Sequence, residues 1–218
     1  YDKIKNILKV NGNLEFIDSQ NKIKIYSDSG TYLKQEEKIF TEGNSKGIDQ
    51  DGTIITAHSF NYDKIKNILK VNGNLEFIDP QNKIKIYSDS GTYLKQEEKI
   101  FTEGNSKGID QDGTIITAHS FNYDKNLNII IATGNVKIVD NIRDYIIFAK
   151  KITYFRNKEK IITEGKTKAI IESKYVFNSR NVLFLKNEML LSSSNYSTIR
   201  DDSENIYELE KFKYFIND

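Results

Sequence analysis

Residues 55–62 read Ile-Thr-Ala-His-Ser-Phe-Asn-Tyr, and the spacing within this stretch decides the fold. An aliphatic residue is followed two positions later by a small residue, three further by a bulky apolar residue and two beyond that by an aromatic residue. This spacing occurs seven times at steps of 30 or 31 residues, with Gly30 in the bulky position of the first copy. A repeat of this length indicates units that bury their apolar faces only by stacking on their neighbours. The copies are Ile25, Ser27, Gly30 and Tyr32; Ile55, Ala57, Phe60 and Tyr62; Ile86, Ser88, Gly91 and Tyr93; Ile116, Ala118, Phe121 and Tyr123; Ile147, Ala149, Ile152 and Tyr154; Phe177, Ser179, Val182 and Phe184; and Tyr207, Leu209, Phe212 and Tyr214.

A second pattern lies between these copies and is centred on a glycine. Residues 69–77 alternate strictly between apolar positions, with Gly73 at the centre, and polar positions, as in a half-buried strand. The same alternation runs through 130–138 and 161–171. Each repeat therefore contains two strands, and the sequence predicts an all-β chain of about 14 consecutive strands. The central glycines are Gly12, Gly43, Gly73, Gly104, Gly134 and Gly165.

The first pattern changes phase in its middle, because Ile25 and Ser27 share one parity and Tyr32 has the other. Successive side chains of a strand point to opposite faces, so an odd offset flips the faces unless a bend or bulge takes up one residue. We expect each such strand to bend near Asp28-Ser29 or its equivalent. The stacked bends then form a crease at which two layers of sheet meet, and the glycines could permit a matching bend or a close approach of backbones.

The composition excludes several classes of protein. With 32 Lys and Arg against 31 Asp and Glu, the net charge of +1 gives no basic field that would attract nucleic acid. An apolar content of 38% suits a thin two-layer body. Cysteine is absent, which removes disulfides, thiol catalysis and Cys-ligated metals. No apolar run approaches the roughly 18 residues that a membrane helix needs.

The repeats indicate a single elongated domain over 1–218. Residues 1–61 and 62–122 are identical except that Ser19 becomes Pro80 within a turn, so this stretch is a duplicated block, and 123–218 carries diverged repeats. The chain opens at Tyr1 in the middle of the pattern, and we interpret it as a piece of a larger protein.

No cluster of residues points to catalysis, a cofactor or a metal. His58 and His119 are one duplicated position without a second His or Cys, which favours a strand histidine over a metal ligand. Asp49-Gln50-Asp51-Gly52 lacks the ligand spacing of a calcium loop and is better explained as a β-turn. The adjacent carboxylates of Glu36-Glu37 would point to opposite faces of a strand and cannot act as an acid/base pair there. We therefore expect a protein that is not an enzyme.

Residues 203–215 have a competing interpretation. Ser203 could cap a helix that carries Ile206, Leu209 and Phe212 on one face. The repeat pattern favours strands over this helix.

The candidate functional site is the long apolar interior. Small residues recur at fixed levels of the repeat, and stacked small residues would leave a trough that suits a lipid. The alternative is that these side chains only pack against each other. The predicted lipid-binding groove comprises Ile25, Ile55, Ala57, Phe60, Ile86, Ile116, Ala118, Phe121, Ile130, Ala132, Val136, Ile147, Ala149, Ile152, Phe177 and Val182.

Three stretches in order resemble a known family. Residues 132–138 read Ala-Thr-Gly-Asn-Val-Lys-Ile, residues 147–154 read Ile-Phe-Ala-Lys-Lys-Ile-Thr-Tyr, and residues 161–165 read Ile-Ile-Thr-Glu-Gly. They are similar to the successive strands of the OstA-type β-jellyroll found in lipopolysaccharide transport proteins. Within this family the chain is most similar to the periplasmic N-terminal domain of LptD, the lipopolysaccharide-assembly protein.

The resemblance implies a V-shaped jellyroll of consecutive antiparallel strands, on the periplasmic side of the Gram-negative outer membrane. It also implies that the apolar groove receives the acyl chains of lipid A and passes them to an outer-membrane barrel that follows residue 218. The implied partners are lipopolysaccharide, an LptA-like bridge protein joined by edge-strand pairing, and an LptE-like lipoprotein that plugs the barrel.

Two alternatives remain open at this point. The absence of cysteine and the near-perfect duplication depart from LptD, which leaves an LptA-type bridge or an LptC-like relative. The second alternative is a closed β-solenoid that serves as a spacer or adhesin stalk, with a filled interior.

Overall fold

The computed structural model describes residues 6–216 of the chain. Over these residues the regular structure consists of 21 strand segments and two 3₁₀ turns, Lys95–Glu97 and Arg156–Lys158. All the strand pairs for which a register is defined are antiparallel, so the predicted all-β jellyroll is confirmed. The chain divides into two compact units, residues 1–106 and 107–218. The expectation of a single domain over 1–218 stays a prediction.

The first unit holds nine segments. They are β1 (Ile7–Asp18), β2 (Ile23–Leu33), β3 (Lys38–Glu42), β4 (Ser45–Asp49), β5 (Ile54–Ala57), β6 (Ser59–Asp63), β7 (Ile68–Asp79), β8 (Ile84–Leu94) and β9 (Lys99–Glu103).

The second unit begins within the next segment. Its segments are β10 (Ser106–Asp110), β11 (Ile115–Ala118), β12 (Ser120–Asp124), β13 (Ile129–Asp140), β14 (Tyr145–Phe155), β15 (Lys160–Ile171), β16 (Tyr175–Arg180), β17 (Leu183–Leu185), β18 (Leu190–Ser193), β19 (Ser197–Arg200), β20 (Ile206–Leu209) and β21 (Phe212–Phe215). The helix considered for 203–215 is wrong, because β20 and β21 occupy that stretch.

Several segments are halves of one strand. β3 and β4 follow each other across Gly43-Asn44, and β5 and β6 across His58. Counted in this way, residues 6–216 hold 14 strands in succession, of which seven are interrupted near the middle. This agrees with the number that the repeat predicts.

Each strand of the first unit runs through two layers. The first half of β2 pairs with β4 and its second half with β3, while β7 pairs with β6 in its first half and β5 in its second. We call the layer whose strand ends carry Asp18, Asp49 and Asp79 the Asp layer, and the other, which carries Tyr62 and Tyr93, the Tyr layer. The second unit repeats this arrangement, since β15 pairs with β17 in its first half and with β16 in its second.

The two layers of each unit pack face to face. In the first unit the ring of Phe77 in the Asp layer lies 5.8 Å from the ring of Tyr93 in the Tyr layer. In the second unit the rings of Tyr145 and Phe184 are 4.8 Å apart across the interior of that unit. These rings are at most 1% exposed, so the core of each unit lies between its layers.

Glycine occupies the bulky position of the repeat at Gly30 for a steric reason. A Cβ there would lie 2.6 Å from Leu14 Cδ1 and 2.8 Å from the carbonyl oxygen of Phe40. Leu14 of the facing layer therefore occupies the space that a side chain at Gly30 would need.

The crease is held by backbone hydrogen bonds at glycines with left-handed backbones. Gly43 and Gly73 have φ values of 80° and 76°. The N–H of His58 donates to the carbonyl of Gly73 at 2.8 Å, and the N–H of Gly43 donates to the carbonyl of His58 at 2.9 Å. Asp28 donates in turn to Gly43 at 2.9 Å, at the point where the sequence predicts the bend.

The one-residue phase change of the first pattern is matched by a bulge in the glycine-centred strand that pairs with it. The register of β7 with β8 shifts between Asn72 and Leu75, and that of β13 with β14 shifts between Thr133 and Val136. Asn74 follows Gly73 in the left-handed region, with a φ of 54°. Two consecutive left-handed residues turn the strand from one layer into the other.

Two glycines of the second unit allow the close approach at the crease to be measured. Gly134 and Gly165 have φ values of 82° and 78°, so alanine at either position incurs about 1–2 kcal/mol of backbone strain. A Cβ at Gly134 would also lie 2.8 Å from the Cβ of His119, whereas at Gly165 nothing lies within 4 Å. We expect Gly134→Ala to lower the free energy of unfolding, measured in urea, by more than Gly165→Ala. Equal losses would show that the crease relaxes around the added methyl group.

Candidate functional site

The structure places the sixteen predicted groove residues in the interior. Fifteen of the side chains are at most 8% exposed, and Ala149 is partly exposed. The Asp layer contributes Ile25, Ile55, Ala57 and Ile86 in the first unit and Ile116, Ala118, Val136, Ile147, Ala149 and Phe177 in the second. The Tyr layer contributes Phe60 in the first unit and Phe121, Ile130, Ala132, Ile152 and Val182 in the second. Whether these side chains contact a lipid stays a prediction.

The small residues of the repeat lie beside the crease, where their hydroxyl groups bond to each other. Ser45 Oγ lies 2.7 Å from Thr41 Oγ1 and 3.1 Å from Ser27 Oγ. Thr41 Oγ1 accepts a hydrogen bond from the N–H of Phe60 at 3.0 Å. In the second unit Thr163 and Thr167 bond at 2.6 Å. A polar row therefore lines the crease side of the interior, where the sequence predicts an apolar trough.

The opposite side of the interior is closed by side chains, in a row that we call the seam. In the first unit Tyr62 Oη donates to Asp18 Oδ2 at 3.1 Å, joining the Tyr layer to the Asp layer. Tyr93 Oη lies 3.3 Å from Asp49 Oδ2, and Lys95 Nζ forms an ion pair with Asp49 Oδ1 at 2.9 Å. The seam thus joins the layers at their far edge.

In the second unit the seam is richer in charge. Tyr154 Oη donates to Asp110 Oδ2 at 3.0 Å, and Arg156 forms an ion pair with the same carboxylate. Lys186, whose side chain is only 1% exposed, places Nζ 2.7 Å from Asp112 Oδ2, 3.0 Å from Tyr154 Oη and 3.1 Å from Thr114 Oγ1. A buried cation is stabilised only when such partners surround it.

The ionisation of the seam carboxylates follows from these contacts. Burial alone would raise the pKa of the Asp112 carboxyl, but the hydrogen bond and charge of Lys186, with that of Arg143, lower it well below its ordinary value. At Asp18 burial also acts to raise the pKa, and the hydrogen bonds from Asn21 and Tyr62 outweigh it, so the pKa is lowered. Burial beside these charged carboxylates raises the pKa of Tyr62 and Tyr154.

The seam carries a sequence signal that our sequence analysis missed. Aspartates recur at 30 or 31 residues as Asp18, Asp49, Asp79, Asp110 and Asp140, and a cation recurs two residues after the aromatic position as Lys34, Lys64, Lys95, Lys125, Arg156 and Lys186. The Tyr–Asp bonds join residues 44 apart, which is about one and a half repeats. The common period of acid, tyrosine and cation would have predicted the seam.

The two histidines and the Asp49–Gly52 segment have roles in the fold. His58 and His119 lie at the crease, where their N–H groups bond to glycine carbonyls. Asp49-Gln50-Asp51-Gly52 forms the expected turn, closed by a 3.1 Å bond from the N–H of Gly52 to the carbonyl of Asp49. Among residues 6–216 no group of three His, Cys, Asp or Glu is arranged to hold a metal ion. Over the same residues no helix is long and apolar enough to span a membrane.

Open concavities lie on the surface of each unit. In the second unit a concavity of about 760 Å³ is bordered by Val136 and Ala149 of the predicted set, together with four cationic side chains. A smaller one of about 310 Å³ in the first unit is bordered by Val71 and Gly91.

Comparison with known proteins gives a likeness of fold. No family model and no curated protein sequence matches the chain. Among solved structures, the crystal structure of LptH from Pseudomonas aeruginosa matches with a TM-score of 0.50 and 15% identity, over 55% of this chain and 94% of that chain. LptH is the LptA-homologous periplasmic component of the conserved lipopolysaccharide transport device. This likeness shows the fold alone.

A second solved structure is aligned over a larger share of the chain. The TCP10 domain of Danio rerio CPAP, in complex with a STIL peptide, is 10% identical over 94% of this chain and 99% of that chain. Its TM-score of 0.19 is too low to support any argument.

A substitution at Lys186 measures how much the seam contributes to the stability of the second unit. Lys186→Met removes the buried cation and leaves the Asp112 carboxylate with Arg143, 3.0 Å away, as a charge partner. We expect a loss of up to about 3 kcal/mol in the free energy of unfolding, as for other broken buried ion pairs. Lys174→Met, at an exposed turn position, is the control and should change little. Equal small losses from both variants would show that the seam does not stabilise the fold.

The lowered pKa of Asp112 predicts an acid-dependent contribution to stability. The carboxylate stabilises the folded state fully above the unfolded pKa of about 3.9, and this contribution is lost as the pH falls toward the folded pKa. In Asp112→Asn the free energy of unfolding should be lower at pH 7 and should decline less below about pH 4 than in the parent. Urea titrations over a pH series measure both effects, with Glu210→Gln as the exposed control. A pH profile in Asp112→Asn that is parallel to that of the parent would contradict the assignment.

Proposed function

We propose that this chain is a periplasmic component of lipopolysaccharide transport that holds acyl chains between its two layers. The observation that carries the proposal is the apolar interior of each unit, enclosed by a fold like that of LptH. The sixteen predicted residues form its walls. The chemistry needs no catalytic group.

The energetic requirement of such a carrier is simple. An acyl chain in water costs about 0.8 kcal/mol for each exposed methylene group. Side chains such as Ile130, Ile147 and Ile152, all at most 1% exposed, offer the chain an environment without water. A row of such positions within each unit removes the cost along that unit.

The layers must separate before a lipid can enter, because they now pack on each other. The crease is held by backbone bonds that run from strand to strand, such as His119 N–H to the carbonyl of Gly134 at 2.8 Å. The seam is held by side chains, whose bonds water can replace. Entry therefore begins at the seam, with the crease as the hinge.

The exposed edge of β1 supports end-to-end pairing with a second jellyroll. Among the described residues β1 has a backbone partner on one side only, β2. Leu8 is 42% exposed, whereas Leu69, its duplicate in the internal strand β7, is 1% exposed. A strand from an LptA-like bridge protein would cover this edge and continue the interior.

Two places in the transport system are compatible with this interior. As the N-terminal domain of an LptD-like protein, the chain would lie at the periplasmic side of the outer membrane and pass lipid to an assembly that includes an LptE-like lipoprotein. As an LptA-type bridge it would pair with a jellyroll at each end. The apolar interior serves both roles.

One observation favours a different function. Fifteen of the sixteen predicted groove side chains are buried, as in a β-solenoid that acts as a spacer or stalk. A spacer would bind no lipid, so lipid capture separates the two functions.

Photo-crosslinking in living cells tests the proposal. A photoreactive residue at Phe60 or Ile147, inside the layers, should capture lipopolysaccharide, and the same residue at Lys70 or Glu76, on outward positions of β7, should not. Capture at equal yield from both faces would refute an interior route. Absence of capture from every position would favour the spacer.

A further inference from the structure

The outer face of the Asp layer in the second unit carries cations without acidic partners. We call this surface the basic concavity, defined by Lys137, Lys166, Lys168, Arg180, Phe148 and Tyr196 around a space of about 760 Å³. The four cationic side chains are exposed, and none of them forms an ion pair within residues 6–216. A surface of this kind attracts anions.

The register of the strands brings like charges together. Lys166 of β15 lies directly opposite Arg180 of β16, a pairing that repels within a sheet. On the adjacent strand pair the chain uses complementary charges, with Lys151 and Glu164 2.7 Å apart. Glu208 lies opposite Thr198 at the border of the concavity and accepts a hydrogen bond from Tyr196. The repulsion between Lys166 and Arg180 is relieved when an anion lies between them.

The duplicated blocks show that the jellyroll does not require these cations. Sixty-one residues earlier, the positions of Lys137, Lys166 and Arg180 hold Glu76, Asn105 and His119. Glu76 accepts a hydrogen bond from Tyr87, which occupies the position of Phe148. The diverged repeats have therefore exchanged an acid and two uncharged side chains for three cations on one face.

The remaining side chains indicate what accompanies the anion. Phe148 is 37% exposed and Tyr196 is 60% exposed, and both rings border the concavity. Their flat apolar faces suit the C–H face of a sugar ring, and the amides of Asn135 and Asn178 suit its hydroxyl groups. The volume of the concavity lies in the usual range for small-molecule sites.

We propose that the basic concavity binds a phosphorylated sugar. Lys166 and Arg180 hold a phosphate between them, Lys137 and Lys168 provide further positive charge, and the two rings pack on the sugar. This face is the outer side of the layer, so the site does not depend on an open interior and is independent of acyl-chain transport.

Calorimetric titration of the whole chain with a bisphosphorylated glucosamine disaccharide without acyl chains tests the proposal. The variant Lys137→Glu, Lys166→Asn, Arg180→His restores the residues of the duplicated block, which the same fold already accommodates. It should weaken binding by about tenfold or more, as expected for lost charge-assisted hydrogen bonds. The control Lys24→Glu, Lys70→Asn, Lys85→Asn makes the same change in net charge at other exposed positions and should leave binding unchanged.

Further outcomes test the chemical class of the ligand and the location of the site. The dephosphorylated disaccharide should bind weakly, and so should inorganic phosphate. Equal binding of inorganic phosphate and the bisphosphorylated disaccharide would overturn the sugar assignment, as would binding restricted to anionic phospholipid vesicles. Equal losses in the variant and its control would overturn the site. If the triple variant does not fold, Arg180→His alone gives the same comparison.

Discussion

The row of left-handed glycines at the crease is the constraint on which the structure depends. At Gly73 and Gly134 the chain needs a positive φ and has no room for a Cβ, because the Cβ of His58 or His119 lies against it. These positions let one strand turn from the Asp layer into the Tyr layer while its backbone bonds to the next strand continue. Both layers, the interior between them and the alignment of the seam follow from this turn.

The two sides of the interior are closed by bonds of different kinds. At the crease the bonds are between backbones and are supported by hydroxyl groups such as Ser45 and Thr41, so separating the layers there would break the sheet itself. At the seam the bonds are between side chains. In the first unit Tyr62 donates to Asp18 at 3.1 Å, and in the second the buried Lys186 forms an ion pair with Asp112 at 2.7 Å. The seam is therefore the side at which the proposed entry of a lipid would begin.

The sequence predicts the layers well because the signals are local. The alternation around Gly73 and the phase change after Ser27 fix which side chains face inward, and both arise within one strand. The sequence does not predict the polar row at the crease. Ser27 and Ala57 are both small residues of the repeat, and only the structure shows the hydroxyl of Ser27 bonded to that of Ser45. The seam was missed because its partners are 44 residues apart, and neither the acid nor the tyrosine is unusual by itself. The sequence does not predict the basic concavity for the same reason. Lys166 and Arg180 become neighbours only through the register of β15 with β16.

The duplicated block separates what the sequence of a strand determines from what its position determines. β1 and β7 have the same twelve residues, yet Leu14 is 8% exposed where Leu75 is 1% exposed, and Leu8 is 42% exposed where Leu69 is 1% exposed. The side-chain pattern is identical, so the difference comes from β7 having strands on both sides. An apolar strand face of this kind is fully buried only when a further strand is added, which means that the sequence of β1 is already suited to an internal position. The same property that allowed a two-repeat block to be inserted into the stack therefore makes the face of β1 one that a further strand would bury.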